Sequence, residues 1–362
     1  MARTSFRRTL KLERLETRQV LSAMGTTPDQ QYALELINLT RTNPSAAADR
    51  FSSNLSADVK ATLAQYNLTA DSLKSKMSSA TPMPALAYND ALSATAQAQS
   101  QYEADNGVQS HIGANGANLS TRLSNAGYTG FNSAGENTYA YAVSVDEAMQ
   151  SFLYDWGVAD DGHYGNLLQP GTSAQNAYNE VGVGLVNTSG KGVGPMVVTQ
   201  DFGNNPNTGP QILGVIYNDS NHDNFYEPGE GLGGATIDAV NLTTGKDYQI
   251  QSWQSGGYQV PVDPNADYKV TATVNGQVVQ TEQVHVGSTN QKVDFVLNGT
   301  PAPVAQAVAA PAPAPVATPA PSPAPTSTPA QLDVSAWAKT QADQTKSPVD
   351  GWASWNAPVE GN

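Results

Sequence analysis

The hydrophobic period of this chain changes once, across Asn204-Asn-Pro-Asn-Thr-Gly-Pro210, and that change decides what can fold on either side of it. Before it, apolar residues recur at helical spacing. In 29–43, Tyr32, Ala33, Leu36, Ile37 and Thr40 fall on one face, with Asp29 after Pro28 read as the cap and Asn43-Pro44 as the stop. A second helix begins at Asn89-Asp90, carries Leu92, Ala96 and Gln99 along a stripe and ends at Asn106-Gly107; a third covers 145–154, with Ala148, Met149 and Phe152 inward. Residues 182–186 and 196–202 read as strands joined by a Gly-rich turn at 190–194. Helices flanking late strands give an α+β layer fold. After the boundary the period is two, through 212–217, 235–240, 258–262, 268–274, 278–286 and 293–297, with Asn275-Gly276 as a hairpin turn. That pattern predicts a small all-β sandwich.

Charge separates the ends of the chain from its body. The first 23 residues hold six Lys/Arg against two Asp/Glu, which leaves 12 basic and 30 acidic residues in the remainder of the 362. An acidic body excludes a nucleic-acid partner, because phosphate attraction needs a basic face. With no cysteine there is no disulfide framework. No run of 18 or more apolar residues exists, so the sequence contains no transmembrane segment. Residues 301–330 carry no charge and ten of the 23 prolines, mostly alternating with alanine. Such a tract favours polyproline II and reaches roughly 90 Å at about 3.1 Å per residue. Beyond it, Trp337, Trp352 and Trp355 stand in a polar, acidic tail, read as disordered or as a docking peptide for a surface partner.

Between 111 and 203 the chain concentrates polar residues beside small, turn-forming ones: His111, Ala-Gly-Glu136-Asn, Phe152-Leu-Tyr-Asp155, Asp-Gly-His163-Tyr-Gly-Asn, Glu180-Val-Gly-Val-Gly and Val-Thr-Gln-Asp-Phe-Gly203. With the earlier Leu36-Ile-Asn-Leu-Thr-Arg-Thr-Asn-Pro44, Leu86-Ala-Tyr-Asn89 and Arg122-Leu-Ser-Asn-Ala-Gly-Tyr128, this order resembles the CAP superfamily of cysteine-rich secretory, antigen 5 and pathogenesis-related proteins in its bacterial form. The resemblance implies an α-β-α sandwich over 25–205 and a cleft lined by two histidines and two acids. By motif position these are His111, His163 and Glu136, with Asp155 three residues after Phe152. Asp155 is the weakest member, because many bacterial relatives carry Ser there and Asp reaches less far than Glu.

Imidazoles and carboxylates together permit two chemistries. They can hold Zn²⁺ through His111 and His163 with an activated water, or a carboxylate can orient a histidine that works as general acid or base. The alternative is that both histidines only fix loops around a cleft that performs no reaction. No Ser or Cys stands in a nucleophile motif. Asn137 and Glu180 read as structural, and Arg122 is expected to pair with an acid on the helix that follows the His111 loop.

Asp219-Ser-Asn221-His-Asp223-Asn-Phe225-Tyr-Glu227-Pro-Gly-Glu230 places oxygen ligands at positions 1, 3, 5, 9 and 12 of an EF-hand-type calcium loop, with the Phe225 carbonyl at 7. Asn224 occupies the position usually held by Gly, which Asn tolerates better than other side chains. His222 falls between ligand positions. Followed by Gly231-Leu-Gly-Gly-Ala-Thr-Ile-Asp-Ala-Val, the loop resembles that of B-type β-sandwich repeats in Sdr surface adhesins. The N-terminus, Leu12-Glu-Arg-Leu-Glu-Thr-Arg-Gln-Val-Leu-Ser-Ala23, resembles the export leader of planctomycete surface proteins, although Lys, Glu and Arg interrupt its apolar stretch.

These readings divide the chain into a leader (1–24), a CAP domain (25–205), a linker (206–210), a calcium-binding β-sandwich (211–298), a Pro/Ala-rich linker (299–332) and a disordered tail (333–362). They predict an extracellular or cell-surface protein whose cleft binds a lipid, peptide or wall component. A metal-dependent hydrolase or peptidase using the same cleft is the alternative, and a structural or adhesive surface protein is the third reading.

Overall fold

Thr27, and not Asp29, caps the first helix: it accepts from Gln30 N at 3.2 Å while Gln30 reaches back to Thr27 N at 3.0 Å. Pro28 already sits at the first helical position, where its fixed φ suits the helix and its missing N–H is no loss, so the cap moves one residue ahead of it. The computed structural model describes residues 25–189 and 192–298. The leader, the Pro/Ala tract and the Trp-containing tail lie outside the described residues, as does part of the 190–194 turn.

Eight α-helices among the described residues precede or interleave with the first sheet. They are α1 (Pro28–Thr42), α2 (Pro44–Ser53), α3 (Ala57–Gln65), α4 (Ala70–Met77), α5 (Asp90–Asn106), α6 (Leu119–Asn125), α7 (Val145–Tyr154) and α8 (Gly162–Leu168). Strands β1 (Ala87–Tyr88), β2 (Ser133–Ala142), β3 (Glu180–Asn187) and β4 (Met196–Asn204) form a sheet in the order β1-β3-β4-β2. It is antiparallel apart from the parallel β1–β3 pair.

Alternation along β3 builds the two faces of this sheet. Val181 and Val183 turn toward the large core with Leu36, Ile37, Phe51, Phe152 and Phe202. Gly182 and Gly184 face α5, whose backbone comes so close that a Cβ on either would stand 2.0 Å from Ser93 N or 2.3 Å from the Ala96 carbonyl. The Val-Gly-Val-Gly spacing is therefore a packing requirement. Helices on both faces make a three-layer α-β-α arrangement. Asn89 caps α5 by accepting from Ala91 N and Leu92 N, and Gly107 ends it at φ 67°.

A β-rich region follows: β5 (Gln211–Asn218), β6 (Thr236–Asn241), β7 (Asp247–Gln251), β8 (Gly257–Pro261), β9 (Ala266–Val274), β10 (Gln277–Val286), β11 (Gln291–Lys292) and β12 (Phe295–Leu297). One sheet runs β10-β9-β6-β7; in the other, β5 pairs with β11, β12 and β8. Asn275 and Gly276 both take positive φ, 52° and 77°, as the β9–β10 hairpin turn needs. The expected strand at 293–297 is split, because Asp294 turns aside to accept from Val215 N at 3.0 Å.

Strand β5 joins the two regions. Ile212 and Ile216 enter the β-sandwich core, while Val215 and Tyr217 enter the core of the helical region. A strand buried on both faces reads as the continuous run Ile-Leu-Gly-Val-Ile-Tyr. Across the same seam, half-buried Lys292 pairs with Glu35 at 2.7 Å, and Asn290 donates to the carbonyls of Ala85 and Asn179. No helix among the described residues is long and apolar enough to cross a membrane.

Candidate functional site

The helical region positions its histidines in two separate pairs. His111 follows α5 in a loop that is fastened on both sides: Ser110 N donates to Glu103 at 3.1 Å, and Arg122 Nη1 donates to the His111 carbonyl at 3.1 Å. Its Nδ1 lies 2.8 Å from Glu136 Oε1. Arg122 Nη2 grips the other Glu136 oxygen. Arg122 thus pairs with an acid on strand β2, where the sequence pointed to a helix. The reason is register: Glu136 faces the α5 side of the sheet, beneath which α6 lays its arginine.

His163 pairs with Asp155 instead, Nδ1 to Oδ1 at 2.7 Å, and Asp155 Oδ2 also accepts from Tyr164 N at 3.1 Å. Asp155 ends α7 in the left-handed region, φ 58°, which turns its carboxylate back onto α8. Phe152 covers the imidazole, ring centroids 5.2 Å apart. Both partners are buried.

Amides connect the two pairs. Asn137 Nδ2 donates to the His163 carbonyl at 3.2 Å, and Asn166 Nδ2 donates to both the Glu136 carbonyl and Asn137 Oδ1. Asn137 is a brace between β2 and α8, as its residue type suggested. Gly135 makes room for this brace, since a Cβ there would stand 2.5 Å from Asn166 Oδ1 and from the Tyr178 hydroxyl. Glu180 accepts from Tyr128 and Asn89, a structural role.

A cavity of about 560 Å³ opens beside the first pair, within the range of small-ligand sites. His111, Glu136, Asp160, Asp161, Asn166 and Tyr178 are among its lining residues. The lining includes Gly162 and Gly165 of α8 but neither His163 nor Asp155, so the second pair sits within the wall and not on its surface. Among the described residues, no group of three or more His, Asp or Glu side chains is gathered as for a metal ion. That holds for His111 with His163 and for the 219–230 loop alike.

Electrostatics favour a charged first pair. Burial alone would lower the His111 pKa, yet the hydrogen bond and charge of Glu136 outweigh it and hold the imidazole above its ordinary value. Burial likewise works against an ionised Glu136, and His111 with Arg122 overcomes it and holds that carboxyl below its ordinary value. Two further acids in the same layer escaped the sequence reading. Burial pushes the Glu103 carboxyl up to about 7 despite donors from Ser110, Thr138 and Gln99. Asp201 is wholly buried and is held well above its ordinary value by burial and then by the Glu136 charge. The available signal for Asp201 was a polar Thr-Gln-Asp run inside a strand bounded by apolar residues.

The loop 219–230 closes over its own carboxylates. Asp219 accepts from Asp223 N and Asn224 N, and Glu230 accepts from Ser220 N, the Ser220 hydroxyl and Glu227 N. Asn224 adopts φ 59°, the left-handed angle for which Gly is usual at that position, and His222 adopts 62°. Burial and the neighbouring Glu230 and Asp223 push the Glu227 carboxyl up to about 8. The loop also abuts the helical region: the Arg50 guanidinium lies 4.1 Å from the Phe225 ring centroid and 3.9 Å from Glu227.

This fold is a CAP-like N-terminal domain followed by a β-rich region. Residues 34–202 match the cysteine-rich secretory protein family, CAP. An extracellular protein containing an SCP domain from Bacillus anthracis is 25% identical over 42% of this chain and 45% of its own, with a TM-score of 0.27. The present chain thus spans less than half of that protein. An outer surface protein from Borrelia burgdorferi is 13% identical over 46% of this chain and 95% of its own, with a TM-score of 0.28. No curated protein matches.

Proposed function

We propose that the protein acts outside the cell or on its surface, and that the His111–Glu136 cleft binds an uncharged or amine-bearing wall component. One observation carries this reading: the cavity lining holds three carboxyl residues, Glu136, Asp160 and Asp161, one histidine and several amides, but no Lys or Arg. Glu136 and Asp161 are held by Arg122 and Lys76 from behind the lining, and the lining itself offers hydroxyl, amide and ammonium groups their hydrogen-bond partners. Exchange of a proton at His111 is open to this site, whereas the buried pair of Asp155 and His163 holds the wall in place. The likeness to extracellular and outer-surface proteins agrees with the placement.

Calcium belongs to the second region in this proposal. Asp219, Asn221, Asp223, Glu227 and Glu230, with the Phe225 carbonyl, offer the oxygen set that such a loop needs, and its crowded carboxylates favour a bound cation. The cleft reading is tested by calorimetric titration of the full chain with a soluble disaccharide–peptide fragment of bacterial wall. Binding is expected, with loss in Glu136→Gln. Undiminished binding by that variant, or capture of anionic lipid vesicles in place of the fragment, overturns it.

A further inference from the structure

Asp201 and Glu136 are direct partners in the antiparallel β4–β2 register, so their side chains leave the same face of the sheet. Cross-strand partners on one face hold their Cβ atoms about 4.5–5.5 Å apart, and two like charges so placed repel. Asp201 is fully buried, and neither of its oxygens receives a hydrogen bond from any described residue. An ionised carboxylate can only accept, so in that state this one is a buried charge with nothing donating to it. Protonated, the same group gains one O–H, and the acceptor directly across the strand is Glu136.

We propose that Asp201 is a positioning residue of the cleft: a neutral carboxylic acid that donates its O–H to the Glu136 carboxylate. Every element packed around it bears on this. Strand β2 supplies Glu136 and α5 supplies Glu103, both of which oppose a second negative charge. Strand β3 supplies Gly182, its other register partner, with no side chain to offer. Helix α6 supplies the opposing influence, Arg122, whose two terminal nitrogens are already committed to Glu136 and to the His111 carbonyl. His111 reaches Asp201 only through Glu136. Burial and the Glu136 charge together hold the Asp201 carboxyl well above its ordinary value, which agrees with the geometry.

The consequence is a carboxylate with three donors. Glu136 receives His111 Nδ1–H, Arg122 Nη2–H and Asp201 O–H, and it stays ionised between a cation, an imidazole and an acid. Its orientation is thereby fixed, and with it the His111 ring at the cavity wall. No proton leaves the layer in this arrangement; Asp201 acts through Glu136. The inference rests on the cleft reading for its purpose but not for its truth, since protonation of Asp201 is measured without any ligand.

The test is ¹³C NMR of the side-chain carboxyls in the labelled full chain from about pH 5 to 8, with Asp201 assigned by Asp201→Asn. The Asp201 carbon is expected at the shift of a protonated acid throughout. A carboxylate shift in that range overturns the proposal and points to the rival arrangement, in which Arg122 Nε, which has no acceptor, turns to an ionised Asp201. The His111 titration in Asp201→Asn is the second readout. Replacing a neutral donor by a neutral amide is expected to leave its midpoint within about half a unit, whereas removing a charge lowers it by about one unit or more. If the wall fragment fails to bind while Asp201 remains protonated, the cleft reading falls and this inference stands.

Discussion

The two histidine–carboxylate pairs share one chemistry and nearly one geometry, 2.8 Å at His111–Glu136 and 2.7 Å at His163–Asp155, yet their surroundings differ. The His111 side chain is 31% exposed and stands at a cavity; that of His163 is 7% exposed and is roofed by Phe152. Asp155 divides its carboxylate between the imidazole and a backbone amide of α8, which fastens one helix to the next. Glu136 spends both oxygens on side chains that meet the cleft or its lining loop. A matching residue pair thus lines a cavity in one place and rivets two helices in the other, and burial separates the two.

Removal of the rivet has the largest expected effect. Asp155→Ala leaves the buried imidazole and Tyr164 N without their acceptor and puts a β-carbon residue less suited than Asp at φ 58°. The expected loss is on the order of 3 kcal/mol, against about 1 kcal/mol or less for His111→Ala. Thermal unfolding of the two full-length variants measures both. Equal losses would erase the distinction between the pairs.

The acidic loop sharpens the comparison from a third side, because its carboxylates find partners in backbone amides and, by the proposal above, in a cation. At calcium concentrations about 100-fold above the dissociation constant, preferential binding to the folded state is expected to add about 2.7 kcal/mol. Unfolding of the full chain in calcium and in chelator reads the difference, and Asp223→Ala is expected to remove most of it. An unchanged melting temperature reduces the loop to an acidic turn. Arg50 carries any loosening of the loop into the helical region, since it touches Phe225, Glu227 and Asp146.

Much of this architecture was legible because its signals are local. Asn89 and Gly107 bracket α5 by capping chemistry, and the alternation of β3 follows from two glycines under a helix. The short helices were not legible: α6 and α8 bury only Leu119 and Leu123, or Leu167 and Leu168 with His163 and Tyr164, too few positions to set a period. Strand β2 was hidden by its buried polar residues. Glu136, Asn137 and Thr138 interrupt its apolar pattern because each is satisfied by a partner distant in sequence. His111 and Glu136 were found through the resemblance of their motifs. Asp201 lies within the Val-Thr-Gln-Asp-Phe-Gly203 motif without standing out in it, and Glu103 lies in none: what distinguishes them is the β2–β4 register and the depth of α5.

The smallest expected effect is also the one that best separates a charged pair from a neutral one. His111 has a folded pKa above its ordinary 6.5, so its contribution is complete below 6.5 and is lost as pH rises through the folded value. Glu136 has a folded pKa below its ordinary 4.5, so its contribution is complete above 4.5 and is lost as pH falls through the folded value. Both are present in full only between those limits. The stability difference between the wild-type chain and His111→Gln is therefore expected to peak between pH 4.5 and 6.5, at about 1 kcal/mol, and to shrink as the solution becomes alkaline. Glu103, whose carboxyl burial pushes up to about 7, also acts on His111 through its charge, so its ionisation adds to the pH dependence of the difference. Denaturant unfolding of the two chains across this range gives the curve. A difference that does not vary with pH means that the imidazole is neutral on Glu136.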